Sequence, residues 1–337
     1  HTDIEKLKPE DFAIKIKSRR VDVVVGGPPC PTFSTIGSPK INSLINPKGK
    51  NIFQDKRNYL FRDFFKYIEY FQPKTFLMEN VPNFMTKYKG EIFLQTKKKI
   101  KSLGYEITNN EVRVLNAVNY GVPQNRKRMF IIGHKKKYKF TYPKITHYEK
   151  EGTFNFEKLK RYVDVKSAIS DLPKITDNWR MDRSPYKKNT ALTDYQKLMR
   201  GSNGSKFVSN NICRMTNDRA KRVIAEMKQG QKYMDLPPAV RKILPFREDI
   251  FHDRLKRLKN NEPSWTVIAH IGMDGYMYIH PTELRTLSVR EAARLQSFPD
   301  DFIFKGNQME TYVQVGNAVP VLLARALGKS LIKMLKF

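Results

Sequence analysis

The feature that most constrains the fold is a β-branched run at residues 21–25, which stops abruptly at the block Gly26-Gly27-Pro28-Pro29. Such a run predicts a buried strand, and the glycines and prolines after it do not continue a strand. Residues 58–71 then place their apolar side chains on one helical stripe, and residues 75–78 form a second apolar run. The order strand, helix, strand predicts a βαβ unit with two parallel strands.

The alternation continues along the first part of the chain. Residues 91–103 are predicted to be helical, residues 111–115 extended, and residues 128–133 a buried strand. This pattern is typical of the α/β class. It predicts a doubly wound sheet whose functional groups lie at the carboxyl ends of the strands.

Composition and patterning divide the chain into three segments. Residues 1–134 carry the alternating strands and helices. Residues 135–280 are rich in Lys, Arg, Asn, Tyr and Pro and have weak periodicity, so we expect a separate and less regular domain. Residues 281–337 are patterned again, with a capping box before a helix at Val289 and a last helix near Val319. This final segment is predicted to return to the first domain.

Two side chains are candidates for chemistry at the edge of the predicted sheet. Cys30 directly follows the first strand and its glycines and prolines, and Glu79 follows the second apolar run. Because both positions end parallel strands, we expect a thiol nucleophile beside a general acid. The alternatives are a buried structural cysteine at Cys30 and a helix cap or surface charge at Glu79. Cys213 has no comparable context, and the two cysteines form neither a disulfide framework nor a metal cluster.

The charge of the chain points to a polyanionic partner. Lysine and arginine outnumber aspartate and glutamate by 63 to 33, which gives a formal net charge of +30. Neutralised phosphates supply most of non-specific nucleic-acid affinity, whereas a solvated basic surface is the alternative for isolated lysine runs. No stretch approaches the ~20 apolar residues of a membrane span, and the first residues do not resemble a signal peptide. We therefore expect an intracellular protein without a membrane segment.

Five sequence blocks occur in the same order as the motifs of the cytosine carbon-5 DNA methyltransferases, and the chain resembles that family from residue 26 to residue 320. The blocks are Gly26-Gly27-Pro28-Pro29-Cys30-Pro31-Thr32-Phe33-Ser34, Glu79-Asn80-Val81, Gln124-Asn125-Arg126-Lys127-Arg128, the stretch from Arg285 to Pro299, and Gly316-Asn317-Ala318-Val319-Pro320. The N4-cytosine and N6-adenine methyltransferases fit less well, because their Pro-Pro motif ends in an aromatic residue. The resemblance implies a bacterial or phage-encoded DNA methyltransferase of the restriction–modification type.

The resemblance also implies a mechanism and the residues for it. Cytosine carbon 5 becomes nucleophilic when the Cys30 thiolate adds to carbon 6, and this thiolate needs a pKa lowered by nearby positive groups. Glu79 would bind the ring nitrogen and exocyclic amine and protonate the ring, which requires a carboxyl pKa raised by burial. Arg126 and Arg128 would hold the cytosine carbonyl oxygen and the adjoining loop, on one face of an extended segment. The alternative role for these two arginines is to bind phosphates.

The methyl donor that the resemblance implies is S-adenosylmethionine, and no metal is expected. The residues that match the family's cofactor segments are Asp3, Ile4, Pro29, Leu60, Asn317, Ala318 and Val319. Leu60 also fits the alternative role of a core leucine, and Asp3 lies beside the start of the sequence.

Double-stranded DNA is the implied substrate, and its target base has to be flipped out of the helix for methylation. Ser34 resembles the family's phosphate-contacting serine, and Gln124 is expected to contact DNA. Residues 135–280 match the position of the family's target-recognition domain and carry side chains able to read groove edges. The Asp-Gly pair in residues 273–276 predicts a tight hairpin turn.

One departure from the family pattern leaves alternatives open. The opening strand and the glycine-rich turn that cradle the donor are not recognisable in this sequence. We therefore expect a further N-terminal segment, or a separate fragment or subunit that completes the cofactor site. Two other functions stay open from sequence: a tRNA cytosine-5 methyltransferase, whose usual Cys-Phe-Thr signature is absent here, and a catalytically inactive DNA-binding homologue.

Overall fold

The computed structural model describes residues 4–28, 60–107, 112–149, 159–175, 182–188, 191–201, 206–244, 246 and 253–336. The chain forms two compact units. The first unit consists of His1–Leu115, Lys127–Lys144 and Leu327–Phe337, and the second consists of Asn116–Arg126 and Ile145–Ala326.

The first unit contains the larger sheet. Its helices and strands are α1 (Pro9–Lys15), β1 (Val23–Gly26), α2 (Leu60–Phe71), β2 (Thr75–Asn80), α3 (Glu91–Ser102), β3 (Val112–Asn116) and β4 (Lys127–His134), with 3₁₀ turns at Pro82–Met85 and Lys87–Gly90. The strand order in this sheet is β1-β2-β4-β3. β1 and β2 are parallel, whereas β4 runs antiparallel to β2. The predicted βαβ unit and α/β class are thus confirmed, with each predicted element within a few residues of its observed position.

Aromatic side chains build the core of the first unit. Phe61, Phe64, Phe65 and Ile68 form the buried stripe of α2 that the sequence predicts, and they belong to the same apolar cluster as residues of β2 and β4. Gly26 ends β1 against this cluster: a Cβ atom at this position would lie 2.6 Å from the Phe64 ring. The close approach of α2 to the end of β1 therefore requires glycine here.

The second unit is less regular than the first. Its short elements are β5 (His147–Tyr148), β6 (Lys160–Arg161), α4 (Val165–Ile169), β7 (Ser184–Pro185), α5 (Asp194–Arg200), β8 (Phe207–Val208), α6 (Asp218–Ala225), α7 (Pro238–Arg241), β9 (Lys256–Arg257), β10 (Tyr278–Ile279), α8 (Val289–Leu295) and α9 (Gln308–Asn317), with 3₁₀ turns at Ala117–Tyr120, Tyr233–Asp235 and Ala269–Gly272. In the described ranges of this unit the strands pair as three two-stranded ribbons, of which β7/β8 is antiparallel. A last helix, α10 (Val321–Leu335), leads from the second unit into the first.

Helix α8 explains why the observed units differ from the predicted domains. The predicted capping box of Ser288 and Glu291 is present, and every residue of α8 is buried. Arg294 donates hydrogen bonds to both Asp171 and Asp300, at 2.6–3.3 Å. Through such contacts residues 281–326 cluster with the second unit, and the chain returns to the first unit at Leu327 instead of residue 281.

The prediction of a hairpin at residues 273–276 is wrong. The segment makes a turn, in which the Asp274 carboxylate accepts a hydrogen bond from the Tyr276 amide at 3.1 Å. However, β10 after this turn pairs with β9 in parallel, so the turn does not join two antiparallel strands. The Asp-Gly pair predicts a local turn and carries no information about the partner strand.

Among the described helices, none is long and apolar enough to cross a membrane.

Candidate active site

Glu79 and Arg128 form an ion pair on the sheet of the first unit. Glu79 is the fifth residue of β2, and its backbone is paired with Phe130 of the neighbouring β4. The Glu79 Oε1 atom lies 2.9 Å from Arg128 Nε, and both side chains are largely buried, with 14% and 12% exposed. Burial lowers the pKa of the Arg128 guanidinium, although the charge of Glu79 acts in the opposite direction. The strand location excludes the helix-cap alternative for Glu79.

The end of β1 is shaped to receive this carboxylate. A Cβ atom at Gly27 would lie 2.9 Å from Glu79 Oε2, so a larger residue would displace the carboxylate. Asn80 donates a hydrogen bond from Nδ2 to the Pro28 carbonyl at 3.1 Å, and its Oδ1 accepts one from the Val81 amide at 2.8 Å. Asn80 thus fixes the backbone two residues before Cys30. Asn80 belongs to one of the sequence blocks. Its role depends on a contact with the segment after β1, and the blocks themselves do not reveal this contact.

Gln124 is not available to DNA in this structure, which corrects the predicted contact. Its side chain is fully buried in the second unit. Nε2 donates to the Leu295 carbonyl at 2.8 Å, and Oε1 accepts from the Val267 amide at 2.9 Å. Both ends of the amide are therefore engaged with backbone. A buried glutamine with satisfied partners joins segments of the fold and does not read base edges.

Arg126 is also buried, with 1% of its surface exposed. Nη1 donates to the Val267 carbonyl at 2.7 Å, and Nη2 donates to the carbonyls of Gly316 and Ala318 at 3.0 Å each. The guanidinium thus holds the segment that carries three of the predicted cofactor residues. This geometry favours a positioning role for Arg126 over a direct base contact. Arg126 and Arg128, which were expected to act alike, have different partners.

The predicted cofactor residues fall into three groups. In the first unit, Ile4 is 38% exposed and Leu60 begins α2 half-buried. In the second unit, Asn317 ends α9 with an exposed side chain, whereas Ala318 and Val319 are half-buried. The remaining predicted site residues lie outside the described residues; these are Asp3, Pro29, Cys30 and Ser34.

The second cysteine, Cys213, belongs to the second unit. Cys213 is 2% exposed, and burial raises the pKa of its thiol to about 11. A thiol of this kind is a poor nucleophile near neutral pH. Within the described ranges, no three histidine, cysteine or acidic side chains are grouped so that they could hold a metal ion.

The comparisons with known proteins agree on one family. The family described as C-5 cytosine-specific DNA methylase matches residues 1–333. Type II methyltransferase M.Bpa9945I of Bacillus paralicheniformis is 32% identical to this chain, over 93% of the chain and 71% of the relative. Type II methyltransferase M1.HphI of Haemophilus parahaemolyticus is also 32% identical, over 98% of the chain and 74% of the relative.

Solved structures give the same fold. A crystal structure assigned to a prophage-encoded DNA modification methyltransferase of E. coli matches with a TM-score of 0.71 and 24% identity, over all of this chain and 86% of the other. The S. pombe Dnmt2 methyltransferase matches with a TM-score of 0.50 and 15% identity, over all of this chain and 85% of the other.

Proposed function

The chain belongs to the C-5 cytosine-specific DNA methylase family and is a DNA cytosine-5 methyltransferase; from this premise we propose that it methylates a flipped cytosine through a covalent adduct with Cys30. The observation that carries the proposal is the Glu79–Arg128 pair, held at the edge where β1 leads towards Cys30. A catalytically inactive homologue has no need of a carboxylate kept beside a glycine in this way.

The reaction begins with the thiolate of Cys30. The sulfur adds to carbon 6 of cytosine, while Glu79 donates a proton to ring nitrogen 3, so carbon 5 becomes an enamine carbon. S-adenosylmethionine, the methyl donor of this family, supplies the methyl group to carbon 5 when bound. Loss of the proton from carbon 5 to water, departure of the Cys30 thiolate and return of the nitrogen 3 proton to the Glu79 carboxylate then restore the aromatic ring.

Arg128 has two tasks in this proposal. Its Nε is bound to Glu79, which orients the carboxylate towards the ring nitrogen. Its Nη1 donates to the Lys127 carbonyl at 2.8 Å, and we propose that Nη2 donates to the cytosine carbonyl oxygen, where negative charge develops as the thiolate adds. Arg126 takes no part in the bond changes and positions backbone instead.

The residues present fit S-adenosylmethionine in part. Ile4 offers an exposed apolar side chain and Leu60 a half-buried one, as packing against an adenosyl group requires. Asn317 offers an exposed amide at the end of α9, next to a backbone segment that Arg126 fixes. Within each unit these residues are the candidates for contact with the donor, and Asp3 and Pro29 are further candidates by resemblance.

The proposed substrate is duplex DNA inside a cell, in a restriction–modification system. The names of the relatives support this context, because they are type II methyltransferases. The net charge of +30 suits a phosphate backbone. Sequence choice is assigned to residues 135–280, and Ser34 remains a candidate for contact with the DNA phosphates.

The test is transfer of labelled methyl from S-adenosylmethionine to unmethylated genomic DNA, with modified cytosines mapped by sequencing. We expect label at cytosine carbon 5 in one sequence context. Cys30→Ser should abolish transfer and leave duplex binding largely intact, whereas the matched variant Cys213→Ala should remain active. In DNA with 5-fluorocytosine at the target, the wild-type chain should become covalently attached through Cys30, because carbon 5 then carries no proton to lose.

Two outcomes would count against the proposal, and a third would change the composition of the cofactor site. Methylation at the wild-type rate by Cys30→Ser would exclude that nucleophile. Label in tRNA and not in DNA would favour the RNA-directed alternative. Transfer that appears only after an N-terminal fragment is added would assign part of the cofactor site to that fragment.

A further inference from the structure

The β7/β8 ribbon of the second unit presents an unusual outer face. Side chains alternate along it: Ser184 and Val208 are buried, whereas Arg183, Pro185 and Phe207 are exposed. Phe207 is 43% exposed, and its Cα position is paired with Pro185. The Arg183 guanidinium carbon lies 4.7 Å from the centre of the Phe207 ring. An arginine is thus stacked on an aromatic ring at the surface.

The buried side of this ribbon is anchored to α8. Arg290, which is fully buried, donates from Nε to the Ser209 carbonyl at 2.9 Å, and its amide donates to the Asn210 carbonyl at 2.8 Å. Asn210 in turn donates from its amide to the Asp182 carboxylate at 2.9 Å, and the Asn211 amide donates to the Asp182 carbonyl at 3.0 Å. Asp182 directly precedes Arg183. The backbone that presents Arg183 is therefore fixed from the protein interior.

Such a ribbon is built to contact a defined surface. A stacked guanidinium loses less side-chain freedom on binding than a free one, and its planar fork keeps one orientation. Functional side chains of this kind are precise when buried groups support them from behind. The ribbon lies within residues 135–280, where a target-recognition role is expected from the resemblance, and a two-stranded ribbon fits the DNA major groove.

The outer face favours a base edge over a phosphate as the partner of Arg183. Pro185 and Phe207 make the surface around the guanidinium apolar, which suits the edges and methyl groups of bases and not a solvated phosphate. Lys188, three residues after β7, and Lys206, directly before β8, are exposed and are the residues suited to phosphates. We infer that Arg183 reads a base, with guanine as the preferred partner, and that Phe207 holds the guanidinium in the reading orientation. The inference rests on the proposed function.

The test compares sequence discrimination, not activity alone. The context methylated by the wild-type chain is first mapped, and kcat/KM is then measured on duplexes with each position of that context changed in turn. Discrimination at a position is the ratio of kcat/KM for the preferred base pair to kcat/KM for a changed one. For Arg183→Ala we expect this ratio to fall at one position, on the order of tenfold to a hundredfold, and to stay at the wild-type value at the other positions. Phe207→Ala should weaken discrimination at the same position.

Arg219→Ala is the matched control, since Arg219 is an exposed arginine of the same unit, on α6. It removes the same charge and should leave discrimination unchanged. Thermal unfolding midpoints close to the wild-type value would show that Arg183→Ala, which truncates an exposed side chain, keeps the fold. Phe207→Leu, which keeps apolar area, provides a second variant if Phe207→Ala unfolds.

Two results would overturn the inference. Unchanged discrimination at every position in Arg183→Ala would mean that Arg183 does not read bases. In the second result, Arg183→Ala weakens binding to all duplexes equally and reduces the salt dependence of binding by the equivalent of about one phosphate contact. That result would assign Arg183 to the DNA phosphate backbone. Either result leaves cytosine methylation by the wild-type chain intact, whereas failure of the proposed function would already appear as no label at carbon 5.

Discussion

At the scale of single residues, neighbours in sequence have unlike roles because their partners differ. Arg128 pairs with a carboxylate of the adjacent strand, whereas Arg126 donates to three backbone carbonyls. A charged pair beside the reacting ring can stabilise developing charge. A buried arginine bound to carbonyls stabilises the geometry of the chain instead.

The first prediction concerns Arg128. Arg128→Gln removes the cation that orients Glu79 and that we place at the cytosine carbonyl oxygen. We expect kcat/KM for DNA methylation to fall on the order of a hundredfold or more, as for loss of a charge-stabilising donor. Arg20→Gln, at an exposed position of the same unit, is the control and should retain activity. A wild-type rate in Arg128→Gln would remove Arg128 from the site.

The second prediction concerns the two thiols. With a pKa of about 11, Cys213 carries thiolate at about one part in a thousand at pH 8. Iodoacetamide should therefore label Cys30 and leave Cys213 unlabelled in the folded protein, and it should label both after denaturation. Peptide mass spectrometry gives the extent at each site. Rapid labelling of Cys213 in the folded protein would contradict its burial.

At the scale of elements, short segments that are far apart in sequence are held together by buried polar side chains. Gln124 and Arg126 join the segment before β4 to residues 267, 295, 316 and 318. Gly316 permits the close approach, because a Cβ atom there would lie 2.3 Å from the backbone of Ile268 and Ala269. Substitution of Gln124 or Arg126 should therefore change the position of the segments that they hold and should not remove a group that takes part in the bond changes.

The third prediction tests this positioning role. Arg126→Lys keeps the charge but loses the planar fork that reaches three carbonyls. Because the held segment includes Asn317 and Ala318, we expect KM for S-adenosylmethionine to rise about tenfold, with a much smaller change in kcat. Steady-state kinetics with varied donor separate the two parameters. A fall in kcat with an unchanged KM would favour direct base contact by Arg126.

The fourth prediction concerns pH and the capping residue of α8. Burial by itself would raise the pKa of Glu291, but Arg285, His280 and the Ser288 amide outweigh it, and the pKa is lowered from 4.5 to about 2. A carboxyl with a depressed folded-state pKa stabilises the fold above its unfolded pKa and loses that contribution as the pH falls towards 2. The contribution is roughly 3 kcal/mol at neutral pH.

Glu291→Gln should therefore be less stable than the wild-type protein at pH 7. The difference between the two proteins in free energy of unfolding should narrow as the pH falls from about 4.5 towards 2. Urea unfolding at a series of pH values measures it, with Glu226→Gln, at an exposed position in the same unit, as control. A difference that stays constant with pH would show that the Glu291 carboxylate is not the group responsible.

At the scale of the whole molecule, charge dominates the encounter with DNA. A formal charge of +30 attracts any duplex, whatever its sequence. Specific contacts such as the one inferred for Arg183 then select among bound sequences. Affinity and selectivity should consequently respond differently to salt.

The fifth prediction follows from this division. The dissociation constant for a duplex without a target site should increase steeply between 50 and 200 mM salt, by about a thousandfold if six or more phosphates are contacted. Fluorescence anisotropy with a labelled duplex measures it. The ratio of affinities for target and non-target duplexes should change far less, and a salt-independent affinity would mean that phosphates contribute little.

Local elements and the series of motifs can be predicted from the amino-acid sequence alone. The β-branched run, the α2 stripe and the Ser288 capping box depend on residues close in the chain, so their periodicity and spacing predict them. The placement of Glu79 beside the strand that leads to Cys30 followed from the same local pattern, since adjacent parallel strands end at one edge.

The burial of polar side chains and the identity of their partners depend instead on long-range packing. Gln124 meets Leu295 across 171 residues of sequence, and Arg126 meets Ala318 across 192. The burial of Arg290 and Arg294 in α8 likewise depends on distant carbonyls and carboxylates. A polar residue is stable in the interior only when its partners are supplied there, and those partners come from long-range packing that no local pattern encodes.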